Sequence, residues 1–109
     1  MNRRLIVRPE AEADILKAAL WYEEEAGLGL ELSAEIRAAI DRAVENPLAY
    51  LRLRERPHVR RVVIHRFPYR VFYIVRDDAI IVFAVLHTSR HERQWRHRLQ
   101  VFNKAILSQ

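Results

Sequence analysis

The hydrophobic and polar positions of this chain change their period near its middle. Through residues 9–45 the apolar side chains recur every three or four positions, which predicts two amphipathic helices. Pro9 suits the first turn of the first helix, and Gly27 marks its end. The second helix is predicted to start near Gly29 or Leu30 and to stop at Asn46-Pro47, because proline cannot continue the pattern. An antiparallel pair of helices joined by a tight turn is therefore expected.

Short runs rich in Val, Ile, Phe and Tyr replace the helical period in the second half. Runs at residues 59–66, 69–75 and 79–87 are spaced for an antiparallel meander, and residues 48–58 are predicted to be a loop that leads into it. Asp77 and Asp78 fit the turn between the last two runs, since aspartate tolerates turn conformations that β-branched residues avoid. Residues 5–7 predict a further short strand that precedes the helices.

A helical stripe follows the strands and consists of Trp95, Leu99, Phe102 and Ile106. Together these patterns predict an α+β fold with an N-terminal strand, an antiparallel helical hairpin, a three-stranded antiparallel meander forming one sheet, and a C-terminal helix. The whole chain, residues 1–109, is expected to be a single domain, because 109 residues suffice for one core but not for two.

The last predicted strand is apolar on both faces. Simple alternation would put Ile81, Phe83 and Val85 on one face, and Ile80, Val82, Ala84 and Leu86 on the other. One helical hairpin covers only one face of a sheet. We therefore expect the C-terminal segment, a partner chain or both to cover the second face, and we expect the chain by itself to leave part of that face bare.

Charge is divided unevenly along the chain. Residues 1–50 carry six basic and ten acidic side chains, whereas residues 51–109 carry thirteen basic and four acidic ones. Seventeen of the nineteen basic residues are arginine, whose planar fork binds phosphate or carboxylate groups through two hydrogen bonds. A preference for arginine codons is an alternative explanation of the arginine excess, but it does not explain the asymmetry. The second half is therefore predicted to bind anions.

Several classes of function are excluded by composition. The chain has no cysteine, which rules out disulfides, thiolate chemistry and cysteine-based zinc sites. Its two glycines are too few for a phosphate-cradling loop, so a nucleotide cofactor is not expected. No apolar stretch is long enough for a signal peptide or a membrane span, and we expect a cytoplasmic protein. The spacing of the histidines predicts no metal site.

Candidate functional residues concentrate beyond the last strand and within the meander. Cations and histidines that suit contact with an anionic partner are His87, Arg90, His91, Arg93, Arg96, His97 and Arg98. Trp95 lies among them and is also a candidate core residue that packs against the sheet. Arg70 stands inside an apolar run and shares a face with Phe72 and Ile74, so it calls for an anionic partner.

The phrases PEAEADI, FPYRVFYIV, AIIVFAVLH and HTSRHERQW resemble the RelE/ParE superfamily of toxins from bacterial type II toxin–antitoxin modules. The resemblance covers about residues 5–98. It implies a compact α+β fold and a role in growth inhibition and plasmid stabilisation. It also implies a cognate antitoxin whose extended, acidic and hydrophobic tail holds the toxin inactive.

Two mechanisms follow from this resemblance. RelE-like members cut messenger RNA on the ribosome, which here would need His87 as acid or base and Arg61, Arg70 and Arg90 as phosphate clamps, with Tyr69 or His91 as a supporting proton donor. ParE-like members inhibit DNA gyrase by binding. The residues that would contact the partner or target are Arg70, Arg90, His91, Arg93, Trp95 and Arg96. We favour the ParE-like alternative for two reasons. The nucleases often use a lysine-rich set and a tyrosine near the C-terminus, whereas this chain has just Lys17 and Lys104 and its last tyrosine is Tyr73. The VLH phrase followed by a basic ending that contains Trp95 also looks closer to ParE-like members.

Overall fold

A computed structural model describes residues 3–54, 56–89 and 92–107 of the protein, with side chains except at positions 92, 93, 102 and 104–107. In chain order, its elements are β1 (Arg4–Val7), α1 (Pro9–Ala26), α2 (Gly29–Glu45), β2 (Arg52–Leu53), β3 (Arg56–Val63), β4 (Tyr69–Val75), β5 (Ala79–His87) and α3 (Glu92–Leu107). Within the described ranges, no helix is long and apolar enough to cross a membrane.

The helical hairpin has the ends that the sequence predicted. Gly27 adopts the left-handed conformation, with φ of 68°, and its N–H donates to the carbonyl of Glu23, which closes α1. The chain then reverses so tightly that a Cβ atom on Gly29 would lie 2.7 Å from the carbonyl oxygen of Ala19. Gly29 therefore permits the close approach of α2 to α1.

The sheet has five strands in the order β1-β5-β4-β3-β2. The predicted meander of β3, β4 and β5 is confirmed, and both β4 and β5 have the expected bounds. The N-terminal strand is confirmed as well. It joins the same sheet by pairing in parallel with β5, where Arg4 lies opposite Ala79 and Val7 lies opposite Val82. The α+β fold class is thus correct.

The start of the meander differs from the prediction. β3 spans Arg56–Val63 instead of 59–66, and the predicted loop at 48–58 contains β2, which pairs with β3. The Arg60 guanidinium donates to the carbonyls of Leu48 and Tyr50, at 3.1 and 2.8 Å, and so holds this segment beside β3. β2 has only two residues, and the side chain of Arg60 holds its segment in place. Its sequence therefore has no periodic pattern from which a strand could be predicted.

A β-bulge in β5 corrects the predicted assignment of its faces. Phe72 pairs with Ala84 but the next residue, Tyr73, pairs with Val82, so Phe83 is the extra residue. Phe83 and Ala84 both point to the face that α3 covers, and Val85 turns to the face that the hairpin covers. The simple alternation predicted for 79–87 was therefore wrong beyond Phe83.

The two faces of the sheet build two separate cores. On one face, α1 and α2 pack against the sheet over a cluster that contains Leu32, Ile36, Val71, Tyr73 and Val82. On the other face, Trp95 and Leu99 of α3 pack on a cluster that contains Val59, Phe72, Ile74, Ile81 and Phe83. The expectation that the C-terminal segment covers this second face is confirmed for Trp95 and Leu99, and Val63 on the same face stays 54% exposed. The side chains of Phe102 and Ile106 lie outside the described residues.

Candidate binding surfaces

The sheet separates the residues that the sequence proposed as one catalytic set. Arg61 and Arg70 alternate with Val62 and Val71 of the hairpin-side core, so they point to the face that carries α3. His87 points to the hairpin side, where its ring contacts Tyr69 edge to face at a centroid distance of 5.2 Å. The structure therefore brings Arg61 together with Arg70, and His87 together with Tyr69, but it does not bring the two pairs together.

The arginine face is the part of the α3-side surface that contains Arg61, Arg70 and Arg96 around the stacked rings of Phe72 and Trp95. Those rings lie 6.2 Å apart with an interplanar angle of 19°, and the Arg96 guanidinium lies over the Trp95 ring at 5.6 Å. Trp95 is 7% exposed, which confirms that it belongs to the core. The charged groups thus surround an aromatic pair that is itself almost closed to solvent.

Arg61 and Arg70 are diagonal neighbours on adjacent strands, because Arg61 pairs with Phe72 and Val63 pairs with Arg70. Burial lowers the pKa of Arg61, and the nearby charge of Arg70 lowers it further. The Nε atom of Arg70 is buried and has no hydrogen-bond partner among the residues that the structure describes. Val63, next to the pair, is 54% exposed. At this corner of the sheet, two positive charges that have no carboxylate partner among the described residues lie beside an exposed apolar side chain.

A second surface is the β5 groove, a cavity of about 610 Å³ between α1 and the free edge of β5. Its walls include Asp14, Lys17, Trp21 and Tyr22 of α1, and Val85 and His87 of β5. The rings of Trp21, Tyr22, Tyr69 and His87 form a continuous series of edge-to-face contacts with centroid distances of 4.9 to 6.1 Å. The groove therefore has an aromatic wall that is held in place by its own packing.

His87 has a defined tautomer within the β5 groove. The Ser89 N–H donates to His87 Nδ1 at 3.0 Å, and the Ser89 hydroxyl lies 2.7 Å from the same nitrogen. In the neutral ring Nδ1 is then the acceptor, and the proton is on Nε2. The neutral imidazole, which lines the groove, is thus a hydrogen-bond donor through Nε2.

An ion pair between α1 and α3 closes one end of the β5 groove. Arg98 donates to both carboxylate oxygens of Asp14, at 2.8 and 3.0 Å, and to the carbonyl of Phe83 at 3.1 Å. Asp14 also accepts from the N–H of Val85 at 2.9 Å. The hydrogen bond to Asp14 raises the pKa of Arg98, against the opposing effect of burial. These bonds satisfy the backbone groups that the bulge removes from strand pairing.

The sequence placed Arg98 in a cationic cluster and gave no reason to single out Asp14, so this pair was not predicted. Of the other predicted residues, Arg90 and His91 lie outside the described residues, as does the side chain of Arg93. His97 is exposed on α3. Within the described ranges no group of three or more His, Cys, Asp or Glu side chains could hold a metal ion.

The sequence matches a family of known toxins, and the fold is similar to that of solved toxin structures. The family model of the ParE toxin of the type II toxin–antitoxin system, parDE, matches residues 5–92. The chromosomal ParDE toxin–antitoxin system from P. aeruginosa contains a chain with a similar fold, with a TM-score of 0.71 and 19% identity over 79% of this chain and 96% of that one. The isolated E. coli RelE toxin is similar with a TM-score of 0.62 and 19% identity, over 91% and 98% of the two chains. A search of curated protein sequences gives no significant match.

Proposed function

Since the chain belongs to the ParE toxin family of type II toxin–antitoxin systems, we propose that it arrests bacterial growth by binding DNA gyrase and not by cutting RNA. The separation of His87 from Arg61 and Arg70 by the sheet supports a binding mechanism. A nuclease of this kind needs the acid or base and the phosphate clamps around one scissile bond. The cognate antitoxin would neutralise the toxin in the cytoplasm, and the pair would stabilise a plasmid that carries it.

The arginine face is the proposed contact with the target. Arg61 and Arg70 lie close together, and neither forms an ion pair with a described residue. Two like charges so close to each other are unfavourable while no partner protein covers them. A carboxylate or phosphate group of the target would relieve it. Val63 beside the two arginines adds apolar area, and the combination of arginine with apolar side chains is common at the centre of protein interfaces.

The proposal is tested by expressing the chain alone from a tightly repressed promoter in bacteria. We expect growth arrest with an induced DNA-damage response and intact transcripts, together with inhibition of supercoiling when purified chain is added to purified gyrase. The Arg61→Gln/Arg70→Gln variant should lose at least about tenfold in inhibition, which corresponds to the loss of two charged interface contacts.

The matched control is Arg37→Gln/Arg76→Gln, which removes the same charge from exposed positions on α2 and on the turn after β4. It should inhibit gyrase like the parent. Equal loss in both variants would mean that overall charge, and not the arginine face, matters. Rapid transcript cleavage that His87→Ala abolishes would support the RelE-like alternative, which would use His87 with Arg61, Arg70 and Arg90, and would contradict a binding mechanism.

A further inference from the structure

Cations from three separate segments of the chain meet at one end of the sheet. The segments are the start of β1, the run of residues 54–58 that leads into β3, and the turn from β4 to β5. Their basic groups, which we call the basic end, are Arg3, Arg4, Arg54, Arg56, His58 and Arg76. Arg3 is partly buried, and the other five side chains are exposed. The fold thus gathers positive charge from distant parts of the sequence.

Backbone hydrogen bonds hold two of these segments together. The N–H of Arg4 donates to the carbonyl of Asp78 at 2.9 Å, and the N–H of Arg76 closes the turn by donating to the carbonyl of Ala79 at 2.7 Å. The Arg3 guanidinium donates to the carbonyl of Arg76 at 2.9 Å, across 73 positions of sequence. The cations of β1 and of the turn are therefore presented from one fixed piece of backbone.

The register of the sheet places the third segment beside this turn. Val59 pairs with Ile74, so the next residues along these antiparallel strands, His58 and Val75, lie opposite each other. β5 and β4 lie between β1 and β3, and three strand spacings of about 4.8 Å make a width of roughly 14 Å. The basic end is therefore a row of positive charge that crosses most of the sheet.

Carboxylates of the same segments do not neutralise the basic end. Its five arginines stand against three acidic residues, which are Glu55, Asp77 and Asp78. The guanidiniums that form no ion pair with a described residue are those of Arg4, Arg54 and Arg76. An anionic ligand can therefore pair with these groups without first breaking an ion pair to a described residue.

The chemistry of the basic end fits the phosphate backbone of a nucleic-acid duplex. Arginine binds phosphate oxygens through two hydrogen bonds, and a duplex carries about one phosphate per 1.7 Å of its axis, so a row of about 14 Å faces roughly eight. Single strands are bound largely by stacking their bases on aromatic side chains. Residues 3–4, 54–58 and 76–78 include no Phe, Tyr or Trp. A duplex is therefore favoured over a single strand.

DNA is favoured over RNA by the same side chains. Duplex RNA is recognised largely through its 2′-hydroxyl groups, which need hydrogen-bonding partners in addition to cations. The only uncharged polar side chain of the three segments is that of His58. The basic end thus offers contacts to phosphate groups and little that would recognise the ribose of RNA.

From these observations we propose that the basic end binds the phosphate backbone of duplex DNA without regard to base sequence. Arg4 and Arg54 contact phosphates at the two sides of the row, and Arg76 contacts one between them. The binding is electrostatic, so it is weak and falls steeply as salt is added. The arginine face takes no part, because Arg61 and Arg70 are partly buried and lie toward the other end of β3 and β4.

The test measures the fluorescence anisotropy of a labelled duplex of about 20 base pairs as the purified full-length chain is added. At about 50 mM salt we expect a dissociation constant on the order of 10 µM. The logarithm of the association constant should fall against the logarithm of salt concentration with a slope of about −3, since three phosphates are contacted. An unlabelled single strand and an RNA duplex should each compete less well than unlabelled duplex DNA.

A double variant removes one charge from each side of the row. Arg4→Gln/Arg54→Gln should raise the dissociation constant at least about fivefold and make the salt slope shallower by about 2. The matched control, Lys17→Gln/Arg37→Gln, removes the same charge from exposed positions on α1 and α2, and it should change the dissociation constant by less than about twofold. Thermal unfolding of both variants should match the parent, because all four side chains are exposed.

Several results would overturn the proposal. Binding that does not depend on salt would exclude phosphate contacts, and equal losses in the two double variants would show that only overall charge matters. Tighter binding of the single strand or of the RNA duplex would contradict the choice of duplex DNA. A loss in Arg61→Gln/Arg70→Gln as large as that in Arg4→Gln/Arg54→Gln would move the site to the arginine face.

This inference does not depend on the proposed function, and the two can fail separately. A chain that arrests growth through gyrase but binds no duplex would contradict only the assignment of the basic end. A chain that binds duplex DNA but does not arrest growth would contradict only the proposed function. When both hold, Arg61→Gln/Arg70→Gln should lose inhibition of gyrase and keep duplex binding, whereas Arg4→Gln/Arg54→Gln should do the reverse.

Discussion

Asp14 of α1 and Arg98 of α3 form a two-point ion pair, with nitrogen–oxygen distances of 2.8 and 3.0 Å, beside Phe83 and Val85 at the edge of β5. It joins helices that pack on opposite faces of the sheet, and the bulge in β5 supplies two further hydrogen bonds to it. The pair thus ties the C-terminal helix to the helical hairpin.

Removing one partner of this pair should destabilise the protein strongly. Arg98→Ala leaves the partly buried Asp14 carboxylate with only the Val85 N–H, so we expect a loss of roughly 2 kcal/mol in the free energy of unfolding. Urea denaturation measures this loss. Glu10→Ala, which removes a more exposed pair with Arg8 at 3.8 Å, should cost less than about 0.5 kcal/mol. Similar losses in the two variants would contradict a special role for Asp14 and Arg98.

Tyr73 should make stability fall at alkaline pH. Its hydroxyl donates to the carbonyl of Pro47 at 2.8 Å, and burial raises the pKa of Tyr73 from 10.0 to about 12. The unfolded chain therefore loses this proton at a lower pH than the folded chain, so the contribution is intact below pH 10 and is lost as pH rises from 10 to about 12.

Unfolding measured across this range should show a steeper fall for the parent than for Tyr73→Phe. At neutral pH the variant itself should lose about 1 kcal/mol through the missing hydrogen bond. Absorbance titration of the folded parent should show one tyrosine that ionises only near pH 12. This late ionisation should be absent from Tyr73→Phe. Identical pH profiles would contradict the raised pKa of Tyr73.

Gly29→Ala should lower stability even though alanine is the better helix former. At an ordinary helix position this change stabilises by up to about 1 kcal/mol. Here the added Cβ would lie 2.7 Å from the backbone oxygen of Ala19, so α2 must move away from α1 and we expect a net loss of roughly 1 to 3 kcal/mol. Thermal unfolding followed by circular dichroism decides the sign. A higher melting temperature than the parent would show that the hairpin can relax at no cost.

Arg61→Met should leave stability unchanged or raise it by up to about 1 kcal/mol, because it removes a partly buried charge that lies near Arg70. The same change should weaken inhibition of gyrase if the arginine face binds the target. Denaturation and the supercoiling assay on one preparation measure the two effects. A clear loss of stability would show that Arg61 supports the fold, and the case for Arg61 as a binding residue would then fail.

Local signals made much of the fold predictable. The helix ends could be predicted from neighbouring residues alone, because the backbone of one residue starts or stops each helix. These residues are Pro9, Gly27 and Pro47. The bounds of β4 and β5 were equally clear, because turn residues separate uniformly apolar runs.

The remaining features depend on contacts between distant residues. The bulge at Phe83 could not be predicted, since a run that is apolar on both faces shows no break in pattern when its register shifts. Asp14 and Arg98 are 84 positions apart, and nothing in either sequence neighbourhood indicates the other. The division of Arg61, Arg70 and His87 between two faces depends on that same bulge.

The parallel pairing of β1 with β5 has a consequence for how the molecule is made. Arg4 finds its partner at Ala79, so β1 stays unpaired during synthesis until β5 has emerged. Contacts of such large sequence separation form slowly, because closing the intervening loop costs entropy before any pairing is gained. A polypeptide that stops before β5 therefore cannot complete the sheet, because β5 pairs with both β1 and β4.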